Sequence, residues 1–321
     1  MKERLEYVDI AKGIGIVLVV CSHSDALPLM WLMMGMFVPI FFFCSGYTCS
    51  MKESFRTSMA RRFKKLIIPY LFFNAVMLLV FWHFSVRELV GIVYSRYCLY
   101  PLDVSPNVKF LTSGNYPMWF LTSMIVSYFL FYLITYNERY KYILILGYGV
   151  LTVVMTLCPI LLPWSLDTAP LTALVMYAGM ETRRRVLIGM NGWMVLLLSL
   201  LYIGLHCVSG DLNLSVRMYG TSVALYFVLA ILGSFIVLWG SNYLEGTVVG
   251  KCFLTLGKHS LTIFCIEMAF IVWAKVVYQR LFPNWEINCW TGIFEIVTTL
   301  VGGWLFSLTL HRIKPLSRLL F

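Results

Sequence analysis

Long apolar runs separated by short polar segments dominate the chain, and ten of them can be placed. They cover residues 10–27, 31–49, 66–84, 118–136, 142–162, 168–180, 186–206, 219–240, 261–278 and 291–310. Most approach the roughly 20 apolar residues that a helix needs to cross about 30 Å of hydrocarbon. Because lipid offers no hydrogen-bond partners, the backbone of such runs must be helical. We predict an all-α fold, a polytopic membrane bundle of about ten transmembrane helices forming a single domain over residues 1–321.

The sixth run is the exception to this regular pattern. It is short, and Pro159, Pro163 and Pro170 precede or open it. Prolines at membrane depth free backbone groups that protein or water must then satisfy. We therefore expect a kinked or partly re-entrant entry to this span.

Composition supports the membrane assignment and limits where chemistry can occur. Of the 321 residues, 60% are hydrophobic and 12% are charged, whereas a soluble domain has about a quarter of its residues charged. Ten spans and short loops leave no stretch that could bury a soluble core of its own. Any reaction must therefore take place among the helices.

The basic residues give the orientation. With the N-terminus and every second loop assigned to the cytoplasm, 19 of the 25 Lys and Arg lie on that side. Cytoplasmic loops of membrane proteins carry such an excess. We therefore expect both termini in the cytoplasm, and we interpret the net charge of +10 as a signature of topology and lipid contact, with no nucleic-acid partner.

Nine cysteines are present, mostly inside apolar runs and without a C-x-x-C pair. Cysteine in such surroundings behaves as a small buried hydrophobe. The spacing matches no set of metal ligands, so we predict no metal site.

The first span holds the densest set of ionisable residues: Asp9, Lys12, His23 and Asp25. Such groups are costly inside a bilayer, and by default they carry function or pair with one another. Asp9 and Lys12 share a helical face, and His23 follows Lys12 at ~16 Å along the helix. A histidine at the end of a span can also simply hydrate at the interface, and both interpretations of His23 stay open from the sequence.

A second polar group lies where the second and third spans meet. Ser45, Gly46 and Tyr47 close the second span, and Arg61, Arg62, Lys64 and Lys65 precede the third. Small residues can serve helix packing alone, and basic residues can serve topology alone. Arginine and lysine at this position could also bind the phosphates of a ligand.

These residues resemble the motifs of the acyltransferase type 3 family of bacterial integral membrane O-acyltransferases, most closely its fucose-4-O-acetylase-like branch. The stretch from Asp9 to Ile16 resembles the family's opening, and Lys12 with His23 matches its basic-x10-His motif. Further likenesses follow in order along the chain: Phe42–Tyr47, one residue shorter than the family's Phe-Phe-x-x-Ser-Gly-Tyr; Arg62–Lys65, with Lys65 in place of an arginine; Trp119–Leu121; Pro163–Asp167; and Gly257–Leu261.

One position departs from the family pattern. Near the start of the ninth span many relatives carry a second histidine, and this chain has Glu267. A two-histidine mechanism is therefore in doubt. From the sequence, Glu267 is either part of the site or a partner of Lys275 or of a backbone group.

The resemblance implies transfer of an acyl group, most simply acetyl from acetyl-CoA, to a sugar hydroxyl of a surface or lipid-linked glycan at the bacterial inner membrane. Acetyl-CoA would be a co-substrate, with no permanently bound cofactor. A neutral imidazole suits the removal of the hydroxyl proton. The expected site comprises catalytic His23, Lys12 and Asp25, with Asp9 as an alternative to Asp25; donor-binding Arg61, Arg62, Lys65, Ser45 and Tyr47; and acceptor-binding Trp119, Trp164, Asp167 and Glu267.

Two other classes of function are compatible with the same features. A secondary transporter would also have ten spans and intramembrane ionisable residues, although no related halves with matching broken helices are visible. In a non-catalytic sensing or anchoring module, the residues of the first span would only pair with one another.

Overall fold

The computed structural model of the protein describes residues 5–24, 30–82, 84–101, 116–185, 191–282 and 288–320. Within these ranges the chain forms thirteen α-helices: α1 (Glu6–His23), α2 (Pro39–Tyr47), α3 (Phe55–Phe81), α4 (Val86–Tyr94), α5 (Trp119–Tyr136), α6 (Lys141–Met155), α7 (Ala169–Arg185), α8 (Gly192–Cys207), α9 (Val223–Leu244), α10 (Val248–Lys258), α11 (Ser260–Leu281), α12 (Cys289–Arg312) and α13 (Lys314–Leu320).

A small amount of other structure lies in the connections between helices. Two-residue strands β1 (Leu212–Asn213) and β2 (Met218–Tyr219) pair antiparallel, with Leu212 opposite Tyr219. This ribbon joins α8 to α9. Short 3-10 helices form at Met30–Met33, Tyr116–Met118, Pro163–Ser165 and Leu214–Val216. The predicted all-α architecture is therefore confirmed, apart from the ribbon.

Every predicted span contains an α-helix, and five of these helices are long and apolar enough to cross a membrane: α3, α5, α9, α11 and α12. Two more, α6 and α8, are apolar but shorter. In α1 and α7 the charges of Asp9, Lys12 and Arg183 shorten the apolar part. The structure thus gives a multi-pass helical bundle, while ten spans and cytoplasmic termini stay predictions.

Three boundaries differ from the prediction. The second run is not one helix, because α2 begins only at Pro39 and a 3-10 helix at Met30–Met33 precedes it. Helix α3 begins eleven residues before the apolar run, since Ser54 caps it by accepting a hydrogen bond from the Thr57 N–H. The sixth run is an unbroken 17-residue helix, α7. Pro170 lies in its first turn and does not kink it, whereas Pro163 begins the 3-10 turn before it, where Trp164 leaves helical geometry with a φ of 54°. The expected kink is therefore confined to the entry of the helix.

Helix α1 occupies the centre of the bundle. It packs against α2, α9, α10, α11 and α12, and most of its side chains are buried, from Tyr7 near its start to Cys21 near its end. By contrast, α6 and α8 bury few residues and lie at the periphery. The helix that carries the predicted chemistry is therefore enclosed by neighbouring helices along most of its length.

Two helix pairs approach so closely that their backbones touch at glycine. A Cβ on Gly13 of α1 would lie 2.0 Å from the Phe253 carbonyl oxygen of α10, and one on Gly46 of α2 would lie 1.8 Å from the Met176 carbonyl oxygen of α7. No side chain fits at either crossing. Small residues permit this kind of close packing between membrane helices.

Candidate active site

His23 and Glu267 form the central feature of the site. His23 is the last residue of α1, and its side chain is 19% exposed; Glu267 lies two turns into α11, and its side chain is fully buried. The His23 Nδ1 and Glu267 Oε1 atoms are 3.1 Å apart. A carboxylate at Nδ1 holds a proton there and leaves the basic lone pair on Nε2, while it stabilises the imidazolium that forms on protonation.

This pairing was missed by sequence reasoning, which assigned Glu267 to the acceptor or to Lys275. The predicted orienting residues are placed differently. Asp9 precedes His23 by fourteen residues, which is ~21 Å along a helix, and Asp25 lies outside the described residues. The available signal was an acid inside an apolar run, because such an acid requires a partner within the bundle.

Lys12 and Asp9 form a pair of their own near the start of α1. Lys12 Nζ lies 3.6 Å from Asp9 Oδ1, as their spacing predicts. The lysine is partly exposed and the aspartate is buried. Since Lys12 and His23 are eleven residues apart on one straight helix, Lys12 does not contact the imidazole.

A row of aromatic rings leads away from Glu267. Phe264, one turn before Glu267, packs on Phe120 with ring centroids 5.0 Å apart, and Trp119 neighbours Phe120 at 6.3 Å. The Arg96 guanidinium lies 6.0 Å from the Trp119 ring centroid. Trp119 is itself buried, so its predicted stacking on a sugar is not available on an open surface.

Asp167 is fully buried between two arginines. Its Oδ1 accepts a hydrogen bond from Arg96 Nη2, and its Oδ2 accepts one from Arg217 Nη1 at 3.3 Å. The arginines also donate to backbone carbonyls, Arg96 to Leu162 and Ser215, and Arg217 to Ile160 and Cys158. To bind an acceptor sugar, Asp167 would have to leave this network.

Trp164 anchors the turn that precedes α7. Its Nε1 donates to the Val93 carbonyl at 2.9 Å, which ties the turn to the end of α4. Trp164 and Ser165 both have positive φ, 54° and 59°, a conformation that non-glycine residues rarely adopt. The structure thus gives Trp164 a role in holding the Asp167 turn, and acceptor binding by Trp164 stays a prediction.

The predicted donor-binding arginines differ in how they are engaged. Arg61 is exposed and paired with Glu53, with Nη1 and Oε1 2.7 Å apart. Arg62 is half-buried, with its guanidinium over the Tyr128 ring at 4.8 Å. Its Nε–H is buried and has no hydrogen-bond partner in the described part of the chain. Lys65, one turn further along α3, is exposed.

Tyr47 lies close to the beginning of α1. Its hydroxyl is 2.9 Å from that of Tyr7, and its carbonyl accepts a hydrogen bond from Arg183 Nη1 at 3.1 Å. Ser45, two residues earlier, is partly exposed. Among the described residues no three His, Cys, Asp or Glu side chains are grouped as metal ligands.

The whole-chain comparison decides the family. A family model described as an acyltransferase domain, that of the acyltransferase type 3 family, matches residues 5–312. The chain belongs to the acyltransferase type 3 family. The protein is thus a membrane acyltransferase, and the predicted transporter and sensing alternatives are not favoured. No curated protein and no solved structure gives a significant match to the chain.

In this acyltransferase the motifs that carried the resemblance lie at the ends and breaks of helices. His23 ends α1, Tyr47 ends α2, Trp119 begins α5, and Asp167 follows the 3-10 turn before α7. The Gly257–Leu261 segment spans the break between α10 and α11. The fold brings His23 and α11 together around Glu267, and it places the Lys12–Asp9 pair near the opposite end of α1.

Proposed function

We propose that this acyltransferase moves an acetyl group from acetyl-CoA to a sugar hydroxyl of a surface or lipid-linked glycan, at the bacterial inner membrane, as in the fucose-4-O-acetylase-like branch. His23 is the general base, and Glu267 orients it. The observation that carries this assignment is the 3.1 Å contact between His23 Nδ1 and Glu267 Oε1. An imidazole held by a buried carboxylate is a common arrangement for proton abstraction.

In the proposed reaction, Nε2 of His23 takes the proton of the sugar hydroxyl while the oxygen attacks the thioester carbonyl carbon. The carbon–sulfur bond breaks, the acyl group stays on the sugar, and the proton passes to the departing thiolate, which leaves as free CoA. Glu267 stabilises the imidazolium between these steps. This role for Glu267 replaces direct binding of the acceptor, since a fully buried carboxylate beside His23 is better placed to act through the imidazole.

The donor is proposed to approach from the end of the bundle where α1 begins. Arg62 is the strongest candidate for its phosphates, because its guanidinium rests on Tyr128 and has no carboxylate partner among the described residues. Arg61 is occupied by Glu53. Lys12, Lys65, Ser45 and Tyr47 are proposed to assist at the same end, with Lys12 offsetting negative charge on the donor.

The test is release of free CoA thiol by the purified protein with acetyl-CoA and candidate glycans. His23→Ala is expected to lower transfer by a factor of about 10²–10⁴, the usual contribution of a general base, with unchanged expression and thermal stability. His311→Ala is the matched control, because His311 lies in the last turn of α12 and contacts His259. Acetylation that persists in the His23 variant would remove the catalytic assignment.

A further inference from the structure

A cleft of about 700 Å³ opens between the ribbon and the connection from α6 to α7. Its walls include Leu157, Pro159, Asp211 and Tyr219, and Arg217 contributes to its lining. Small-molecule sites commonly measure about 300–1,000 Å³. The cleft is therefore large enough for a sugar unit with one substituent.

The fixed charge beside this cleft is positive. Arg96 and Arg217 share the single carboxylate of Asp167, so the three buried side chains together carry one excess positive charge. Within the described ranges neither arginine has a second carboxylate partner. Excess charge in a buried site is costly unless a counter-charge offsets it. An anion bound in the cleft would supply that counter-charge.

Uncommitted hydrogen-bonding groups lie at the same place. Arg217 donates from Nη1 to the Ile160 carbonyl and the Asp167 carboxylate, and from Nη2 to the Cys158 carbonyl. Because a guanidinium has five N–H donors, two of its N–H groups are left for a ligand. Tyr219 lines the cleft but is only 5% exposed, and its hydroxyl is buried rather than open to the cleft. The two remaining Arg217 donors are therefore the groups that suit a ligand with several oxygen atoms.

The cleft lies at the end of the bundle where α1 ends. Trp31 follows His23 by eight residues, and its carbonyl is 2.6 Å from Nε2 of His206, near the end of α8. The chain passes from there into the ribbon. On the other side of Asp167, Arg96 contacts the Trp119 ring. The aromatic contacts then run from Trp119 to Phe120 and to Phe264, one turn before Glu267.

We infer that this cleft binds an anionic group on the acceptor sugar, with Arg217 as the residue that recognises it. That the ligand is the acceptor rests on the proposed function, whereas anion binding in the cleft does not. The chemistry fits a sugar phosphate or a sugar acid, because both present oxygens to a guanidinium. The exposed carboxylate of Asp211 at the rim opposes binding and limits affinity.

The experiment measures binding to the purified full chain, with no acyl donor present. The probes are glucose 1-phosphate, glucuronate, inorganic phosphate and uncharged methyl glucoside. At least one charged sugar is expected to bind about tenfold more tightly than methyl glucoside, the difference typical of a charge-assisted hydrogen bond. The two charged sugars distinguish phosphate from carboxylate recognition, and inorganic phosphate shows whether the sugar contributes.

Three variants locate the site. Leu157→Trp fills the cleft from an exposed position and leaves both arginines in the sequence, and it is expected to weaken binding of the charged sugar by about tenfold. Arg217→Lys keeps the charge but loses the planar donors, with a similar expected loss. Asp211→Asn removes the opposing charge, so binding should tighten about two- to fivefold. Glu138→Gln, which also removes an exposed carboxylate, is the matched control for Asp211→Asn.

Equal binding of charged and uncharged sugars, or charged-sugar binding that Leu157→Trp leaves unchanged, would overturn the inference. If the charged sugars bind as expected but no CoA is released with any acceptor, the cleft assignment stands and the proposed function fails. If CoA is released with an uncharged acceptor and no anion binds, the proposed function stands and the cleft assignment fails.

Discussion

Two buried ion-pair groups in this protein use similar residues for different ends. At Asp167 the carboxylate is bound by two arginines, which also donate to four backbone carbonyls, three in the connection from α6 to α7 and one at Ser215 beside the ribbon. At Glu267 the carboxylate meets one imidazole, and that ring is partly exposed. The first group connects the 3-10 turn, the ribbon and the end of α4. The second leaves a titratable ring at the edge of the bundle.

If the proposed function holds, the difference shows how burial and connectivity separate charges that hold the fold from charges that take part in the reaction. A network whose donors bind carbonyls of several segments holds those segments in place, so its loss is expected to affect stability. A single pair with an accessible ring can take up and release a proton without disturbing the surrounding backbone. We therefore expect variants of the two groups to affect different measurements.

The largest effect in the structural group is expected for Asp167→Asn. The change keeps the shape of the side chain but leaves two buried guanidiniums without a counter-charge, and breaking a buried pair in this way typically costs about 3–5 kcal/mol. The thermal midpoint of the purified protein in detergent measures it. Asp211→Asn is the matched control, because its carboxylate is exposed and little change is expected. An unchanged midpoint for Asp167→Asn would contradict the structural assignment.

A smaller effect, on rate rather than stability, is expected for Glu267→Gln. The amide cannot stabilise the imidazolium. Loss of a group that supports a metal-binding histidine commonly costs about 10- to 100-fold, and we expect a loss of this size here, roughly 1.4–2.7 kcal/mol. The rate constant kcat for CoA release should fall while the apparent affinity for acetyl-CoA stays the same. Glu295→Gln, another buried acid in α12, is the control. Equal losses in both variants would show that Glu267 has no special part in the reaction.

Arg62→Ala is expected to have the smallest effect and to act on the donor alone. Loss of one charge-assisted contact with a phosphate should raise the apparent KM for acetyl-CoA by about tenfold, with little change in kcat. Arg61→Ala provides the comparison one residue away, because Arg61 is already occupied by Glu53. Should the two variants give the same KM, the proposed phosphate contact at Arg62 would be excluded.

Much of the fold could be predicted from apolar runs, because lipid requires such runs to be helical. The run at 118–136 became α5 at Trp119–Tyr136 almost without change. Helix ends were harder to place, since hydropathy marks the apolar part of a helix rather than the whole of it. Ser54 begins α3 well before its apolar part, and Pro39 begins α2 well after the apolar run starts.

Helix α4 was missed although its sequence contained the signal. Val86, Leu89, Val90 and Val93 recur at helical spacing, and Ser85 caps the helix by accepting a hydrogen bond from the Glu88 N–H. The segment lies between the third and fourth predicted spans, and its apolar stretch is too short to be predicted as a membrane span. Residues 102–115 of the same connection lie outside the described residues.

The candidate site was predictable only as separate residues. The motif on α1 indicated His23, and the position of Glu267 in an apolar run marked it as unusual, but nothing local connects two residues on helices so distant in the sequence. Asp167 shows the opposite case. Its place in a motif suggested ligand binding, whereas Arg96 and Arg217, which lie far from it in the chain, bind its carboxylate. Only the packing of the helices shows either relation.

The contacts at Gly13 and Gly46 bear on how the protein can move. At these crossings the two helix backbones are in direct contact. Neither helix can slide or rock against its partner without opening a gap that no side chain fills. The central helices therefore form a fixed frame, unlike the moving halves of a transporter. In the proposed function, substrates travel to a stationary imidazole, and the turnover rate then depends on how fast thioester and sugar reach it from opposite ends.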